Sequence, residues 1–169
     1  MRTRVSLAVC ITAFYIALNA FGGEAEPKPD QKAPAAEARQ LLQKMIDGDD
    51  LAAKAAAAEM TRLGKPAVPI AIEGTKHKTA RVRYWCVSVL SGIGDERGYD
   101  AVRRCLQDRD HLVRAVAVWH IQPWWDRPGV ATLVLSKVND RSDFVAGWAI
   151  KTLVSKKHTD AGPRLKRLL

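Results

Sequence analysis

The sequence predicts an all-α fold, an α-solenoid of stacked helix pairs, from its periodicity and its composition. One pattern starts at Val82, Val113 and Val145: a small residue follows four positions later, and a leucine or isoleucine follows eight positions later. This spacing marks one buried stripe along a helix. The copies return after 31 and 32 residues, a period typical of helix-turn-helix repeats that bury their apolar faces against one another. The composition, 47% hydrophobic and 27% charged, is that of a folded chain.

The N-terminal residues 1–22 predict a secretory signal peptide. Arg2 and Arg4 precede a nearly uncharged, mostly apolar run over 5–21, and small residues follow it. This order is typical of an export signal with a cleavage site, so we expect a periplasmic or secreted protein. The alternative is an uncleaved membrane anchor, because a run of about 17 apolar residues lies at the short limit for crossing a bilayer.

A linker and one repeat domain follow the signal. Residues 23–34 are rich in proline and alternating charge, which predicts a disordered linker. Residues 35–169 form the predicted repeat domain, and Asp126 is expected to cap a helix whose first turn contains Pro128. We expect a capping helix at 35–47 and four helix pairs near 50–63 and 66–73, 79–93 and 97–107, 111–122 and 128–138, and 143–155 and 161–168.

Three segments carry a family resemblance. The stretches "LGKPAVPIAIEG", "ARVRYWCVSVLSGIGDERGYDAVRRCLQD" and "DRDHLVRAVAVWHI" resemble the HEAT repeat family, in the bacterial variety called PBS-lyase HEAT-like repeats. The resemblance covers roughly 49–169. It implies a right-handed superhelix of about four helix pairs after the capping helix. First helices would line its outer face and second helices its concave inner face.

The resemblance also implies a ladder of aspartate and arginine along the turns. In this chain the ladder residues would be Asp108 and Arg114. His77 stands where the preceding repeat should carry its aspartate, and Ala146 stands where the last repeat should carry its arginine. Arg83 would then lack its usual partner. A structural role is expected for both arginines, and Arg83, the freer of the two, is also a candidate for contact with a ligand.

A basic stripe and two tryptophans are the predicted partner-binding residues. The exposed sides of the second helices carry cations that the resemblance places on the concave face: Arg103, Arg104, Lys137, Arg164 and Arg167. The alternative is an ordinary solvated surface, because lysine and arginine are usually exposed. Trp124 and Trp125 follow Pro123 in a turn. They are expected either to pack over the end of a helix pair or to form an exposed aromatic anchor. Trp85, Trp119 and Trp148 lie within helices, where packing in the core or a groove is expected.

The predicted function is an exported, non-enzymatic scaffold that binds a protein or peptide along its basic concave face. The net charge of +9 favours an acidic partner. Local spacing offers no catalytic triad, no paired acids and no phosphate-binding loop, and the four histidines are too scattered for a metal site. We therefore expect no enzyme activity, metal or cofactor. The alternatives are a tetrapyrrole lyase-like protein and a DNA-binding HEAT-like protein, both disfavoured by the export signal.

Cys86 and Cys105 are predicted to face each other. They lie at equal distances from the turn between the two helices of one repeat, and each belongs to an apolar stripe. Export would allow a disulfide between them. Two inert core thiols are the alternative, because cysteine often serves as a small buried residue.

Overall fold

Eight α-helices and four short 3-10 helices occupy residues 32–156, the part of the chain that a computed structural model describes. No strand occurs among these residues, and the predicted all-α class is confirmed. The 3-10 helices are Lys65–Ala67, Glu96–Gly98, Gln122–Trp124 and Lys137–Asn139. The α-helices are α1 Lys32–Asp47, α2 Asp50–Leu63, α3 Val68–Gly74, α4 Ala80–Ile93, α5 Tyr99–Cys105, α6 His111–His120, α7 Val130–Ser136 and α8 Asp143–Ser155.

The first helix begins earlier than predicted. Helix α1 starts at Lys32, inside the stretch expected to be a linker. Pro34 is accepted there because the first turn of a helix needs no backbone N–H donors. Three predicted segments lie outside the described residues: the signal peptide at 1–22, the linker up to residue 31 and the last helix at 161–168.

The third repeat differs from the predicted helix start at Asp126. Helix α7 begins at Val130, preceded by Gly129 with φ 87°. A positive φ of this size is a conformation that glycine adopts without a steric penalty. The chain therefore turns once more after Pro128 before the helix begins, and Asp126 caps no helix.

The long helices α2, α4, α6 and α8 pack on one another, while the short helices α3, α5 and α7 each pack against a long neighbour. The recurrent valines predicted to form the buried stripe, Val82, Val113 and Val145, are all inaccessible to solvent. Burying each contributes roughly 1.5–3 kcal/mol of favourable transfer free energy. The residues four positions later, Cys86, Ala117 and Ala149, are equally buried. Their small size lets neighbouring helices approach closely.

Arg83 on α4 is held by the turn of the following repeat. Its Nε and Nη2 atoms donate to the two carboxylate oxygens of Asp108, at 2.7 and 2.6 Å. Nη1 donates to the carbonyl oxygens of His77 and Lys78, at 2.9 and 3.0 Å. Arg83 is only 5% exposed, so its structural role is confirmed, whereas the prediction that it lacks a partner and can contact a ligand is wrong.

Arg114 on α6 repeats this arrangement one repeat further along the chain. Its Nε and Nη2 atoms donate to Asp140 at 3.0 and 2.8 Å, and Nη1 donates to the carbonyl oxygen of Asp108 at 2.9 Å. The expected ladder exists, but the pairing of the Asp108 carboxylate with Arg114 is wrong. Each guanidinium instead reaches forward to the aspartate at the start of the next turn. That aspartate is held in place because it also accepts the backbone N–H two residues later.

The two ladder carboxylates have pKa values below the ordinary aspartate value. Burial raises the pKa of Asp108, but hydrogen bonds from Arg83 and from the backbone N–H of Asp110 lower it by more. The same balance applies to the pKa of Asp140, with Arg114 and the Ser142 N–H as donors. Both carboxylates therefore stay ionised and connect successive turns.

Candidate functional site

The predicted basic stripe is only partly exposed. Arg103 and Arg104 are exposed on α5, and Arg103 Nε lies 3.3 Å from Asp100. Lys137 is only 8% exposed, and its ammonium donates to Gln107 Oε1 at 3.0 Å. The prediction that Lys137 faces a partner is wrong, because the ammonium turns inward towards Gln107 and Asp140. Arg164 and Arg167 lie outside the described residues.

The two turn tryptophans differ in their surroundings. Trp124 is 2% exposed and packs near Tyr99, with ring centroids 6.2 Å apart. Its packing role is confirmed and its role as an exposed anchor is wrong, because the 3-10 helix turns the indole into the core. Trp125 is half-buried, and Lys156 Nζ lies 5.9 Å from its ring centroid.

Cys86 and Cys105 are both free and buried, so the structure contains no disulfide between them. Burial raises the pKa of Cys86 to about 12, with a smaller contribution from the neighbouring Cys105 thiol. The pKa of Cys105 rises to about 11, again mainly because of burial. Both thiols act as small core residues. Thiols with such high pKa values are poor nucleophiles.

A groove of about 550 Å³ runs across the long helices α4, α6 and α8. Aromatic side chains dominate its lining, and we refer to it as the aromatic groove, defined by Tyr84, Trp85, Trp119, Phe144 and Trp148. The volume lies within the range typical of ligand-binding clefts. It lies on the first helices of the repeats, whereas the predicted site lay on the second helices.

The repeat register creates this groove. Trp85 and Trp148 occupy equivalent helical positions, one residue C-terminal to the positions of Tyr84 and Gly147. Ala115, on the helix between them, lines the groove with a small side chain. A Cβ atom built on Gly147 would meet open space. The large rings of Trp85 and Trp148 therefore stand on the helices on either side of Ala115, and this difference in size leaves the groove open.

The rings of the groove support one another by edge-to-face contacts. Tyr84 and Trp85 have centroids 5.1 Å apart, Trp119 and Trp148 are 5.3 Å apart, and Phe144 lies 6.3 Å from Trp148. Such pairs contribute about 0.5–1.5 kcal/mol each beyond their buried area. Contacts of this kind restrict the arrangement of the rings, and a restricted wall loses less entropy on binding.

The open side of the groove exposes apolar surface. Leu112 is 46% exposed and Phe144 is 52% exposed, and both line the groove. Lys151 Nζ lies 4.5 Å from the ring centroid of Trp148 and 5.2 Å from that of Trp119. Exposed apolar side chains clustered beside a cleft are typical of binding surfaces.

Polar groups lie at the edges of the groove. Arg81 donates to the carbonyl oxygens of Met45 and Ile46, both at 3.3 Å, and lies 3.6 Å from Asp50. At the other end, His120 Nε2 lies 3.4 Å from Ser88 Oγ, and burial lowers the pKa of His120. His120 therefore favours its neutral form.

The sequence did not predict this groove as a binding site, because its tryptophans were expected only to pack in the core or in a groove. The available signal was the stripe at positions 81, 84, 85 and 88 and its equivalents on the next two helices. That stripe lies beside the buried one and carries aromatic side chains where a solvated face would carry polar ones.

Neither a cluster of metal ligands nor a membrane-spanning helix occurs among the described residues. Over 32–156 no three histidine, cysteine or acidic side chains gather as metal ligands would. In the same range, no helix combines the length and the apolar character needed to cross a membrane.

Helix pairs of about 31 residues, a buried arginine–aspartate ladder and an open groove define an α-helical repeat protein of the solenoid class. A family model of HEAT repeats matches residues 36–122, a little over half of the 169-residue chain. The protein belongs to the HEAT repeat family. No curated protein matches the chain.

Proposed function

We propose that this protein is a non-enzymatic scaffold whose aromatic groove binds a peptide segment of a partner protein. The observation that carries the proposal is the set of preordered rings around an open volume of about 550 Å³. Large aromatic side chains in a well-formed pocket supply most of the energy at protein interfaces. HEAT repeats are commonly protein-interaction scaffolds, which supports the same function.

The aromatic groove replaces the basic stripe as the proposed contact surface. In the basic stripe, Lys137 is buried and Arg103 already forms an ion pair with Asp100. The groove, by contrast, exposes apolar area whose burial by a partner is favourable. Arg103 and Arg104 thus become a matched control for binding experiments.

The test is selection of binding peptides from a random library on the full chain, followed by affinity measurements on variants. Trp119→Ala and Trp148→Ala should each weaken the selected peptides about 30-fold or more, the loss typical of a hot-spot residue. Leu112→Glu and Phe144→Glu should weaken binding as well. Because these two side chains are about half exposed, such variants can be tested without removing a buried ring.

The control is the Arg103→Glu, Arg104→Glu double variant, which should bind the selected peptides nearly as well as the parent. Thermal melts followed by circular dichroism show that each variant is folded. Peptides that bind all the groove variants with parental affinity would overturn the proposed function. Loss of binding only in the arginine variant would assign it to the basic stripe instead.

We further propose that the protein acts after export. Arg2, Arg4 and the apolar run over 5–21 support this location. N-terminal sequencing of the protein purified from its source should give a mature chain that starts near residue 23. An N-terminus at Met1 would contradict cleavage and would favour the anchored alternative.

A further inference from the structure

A row of cations follows the turns that precede the long helices. Lys78, Arg109 and Arg141 occupy equivalent positions in three successive turns, and all three are exposed. Arg109 Nη2 donates to the carbonyl oxygen of Lys78 at 3.0 Å, and Arg141 Nη2 donates to that of Arg109 at 3.4 Å. Each arginine is thereby oriented along the edge of the solenoid. We refer to Lys78, Arg109 and Arg141 as the turn row.

The last two members of the turn row line a depression of about 430 Å³. The rest of its lining is Asp110, His111, Arg114 and Ser142. The charge of Arg114 is matched by Asp140, and Asp110 accepts the backbone N–H groups of Leu112 and Val113 at 2.9 and 3.3 Å.

The positive charge of the depression is therefore supplied by two arginines. Among residues 32–156, neither Arg109 nor Arg141 has a carboxylate within ion-pair distance. Each has guanidinium N–H groups beyond the one that holds the neighbouring turn. Guanidinium groups pair well with carboxylates, because two parallel N–H bonds can form.

The depression and the aromatic groove adjoin. Asp110 lines both, and the groove extends from there to Leu112 and Phe144 at the first turns of α6 and α8. An extended chain that leaves the groove at this end meets Arg109 and Arg141 next. One ligand can therefore use the apolar surface and the cations together.

We infer that the partner segment is a peptide in which acidic side chains lie next to aromatic or aliphatic ones. The apolar side chains fill the aromatic groove, and the carboxylates pair with Arg109 and Arg141. This inference rests on the proposed function and adds the chemistry of the ligand. A sulfated polysaccharide fits less well, because it brings no apolar side chains to fill the aromatic groove.

The experiment compares two synthetic peptides by fluorescence anisotropy on the full chain. One contains a leucine-phenylalanine pair flanked by two glutamates on each side, and the other has glutamines in place of the glutamates. The glutamate peptide should bind about three- to tenfold more tightly, as expected for two exposed ion pairs. The advantage should shrink as the salt concentration rises, because exposed charges are screened.

Arginine variants test whether the turn row causes the difference. Arg109→Gln with Arg141→Gln should abolish the advantage of the glutamate peptide, whereas Arg109→Lys with Arg141→Lys should keep the part that positive charge alone supplies. The matched control, Arg103→Gln with Arg104→Gln, removes two exposed cations from α5 and should leave the advantage unchanged. Thermal melts check that the loss of the hydrogen bonds to Lys78 and Arg109 does not unfold the turns.

The outcomes separate this inference from the proposed function. Two results would overturn the inference that the partner segment is acidic: an equal affinity for both peptides, or an advantage of the glutamate peptide that persists in the Gln variants. Both results would leave binding in the aromatic groove intact. The inference is also overturned, and groove binding is kept, if neither synthetic peptide binds but library-selected peptides do. A heparin oligosaccharide that displaces the glutamate peptide and binds more tightly would assign the turn row to a polysaccharide. If Trp119→Ala and Trp148→Ala leave the affinity for peptides unchanged, the proposed function itself is overturned.

Discussion

At the scale of single residues, Asp108 and Asp140 show how one side chain joins two repeats. Each carboxylate accepts hydrogen bonds from Nε and Nη2 of an arginine on the preceding long helix, and each also accepts a backbone N–H of its own turn. The sequence predicted that these residue types form a ladder. It did not predict the direction of the pairing, because the reach of a guanidinium across a turn depends on how far the next repeat is displaced.

Replacement of Asp140 by asparagine should destabilise the protein by about 3–5 kcal/mol, because it leaves the guanidinium of Arg114 buried without a counter-charge. The control is Asp100→Asn, which removes an exposed partner of Arg103 and should cost less than about 1 kcal/mol. Urea unfolding of both variants measures the difference. If both variants lose the same free energy of unfolding, breaking the buried ladder pair is no more destabilising than breaking an exposed pair.

The ladder also predicts a loss of stability in acid. The folded-state pKa values of Asp108 and Asp140 lie below the ordinary value of about 3.9, so the unfolded chain binds protons first as the pH falls. The stability that these groups contribute is present above about pH 4 and is lost as the pH falls through the folded-state pKa values.

Urea midpoints measured between pH 6 and pH 2.5 check this prediction. The double variant Asp108→Asn, Asp140→Asn should be less stable at pH 6 and should lose less stability on acidification than the parent does. An identical pH dependence in the two proteins would mean that other carboxylates cause the acid loss.

At the scale of elements, helices α2 to α8 were predicted to within about two residues at each end, and the long helices more closely than the short ones. The apolar stripes of α4, α6 and α8 specify the long helices, because a residue at every third or fourth position is buried. The short helices are only 7 residues long and adjoin 3-10 turns, and their starts depend on tertiary packing and on Gly129. Propensity alone does not determine such starts.

The contact between α3 and α4 provides a second stability test. A Cβ atom on Gly74 would overlap Cys86 Sγ and approach Leu42 Cδ1 to 3.0 Å. Gly74→Ala should therefore destabilise the protein by about 1–3 kcal/mol through overpacking. Adding Cys86→Ala should recover part of the loss, because the overlapping sulfur is removed.

Gly147→Ala is the matched control for that substitution. It adds the same methyl group inside helix α8, where a Cβ atom meets nothing within 4 Å. The higher helix propensity of alanine should stabilise the protein by roughly 0.5–1 kcal/mol. Thermal and urea unfolding of the parent and the three variants measure these differences. A Gly74→Ala protein as stable as the parent would contradict the close approach of the two helices.

At the scale of the whole molecule, the repeat pattern predicted the fold class but not the position of the site. The cations of the second helices suggested a basic groove, yet Lys137 turned out to be buried. Whether a lysine near a helix end faces solvent depends on neighbouring repeats, and its partners Gln107 and Asp140 lie in different turns. The aromatic groove arises from three helices at once, so no single segment of sequence contains it.

Partner binding in the aromatic groove can be measured directly, because the five tryptophans of the chain report on it. Trp85, Trp119 and Trp148 line the groove, whereas Trp124 lies in the core and Trp125 lies in a turn. Each indole gives one N–H signal in a ¹⁵N correlation spectrum, and single Trp→Phe variants assign it. A library-selected peptide should shift the signals of Trp85, Trp119 and Trp148 and leave that of Trp124 in place. Saturable binding that leaves all three groove signals unmoved would contradict the account.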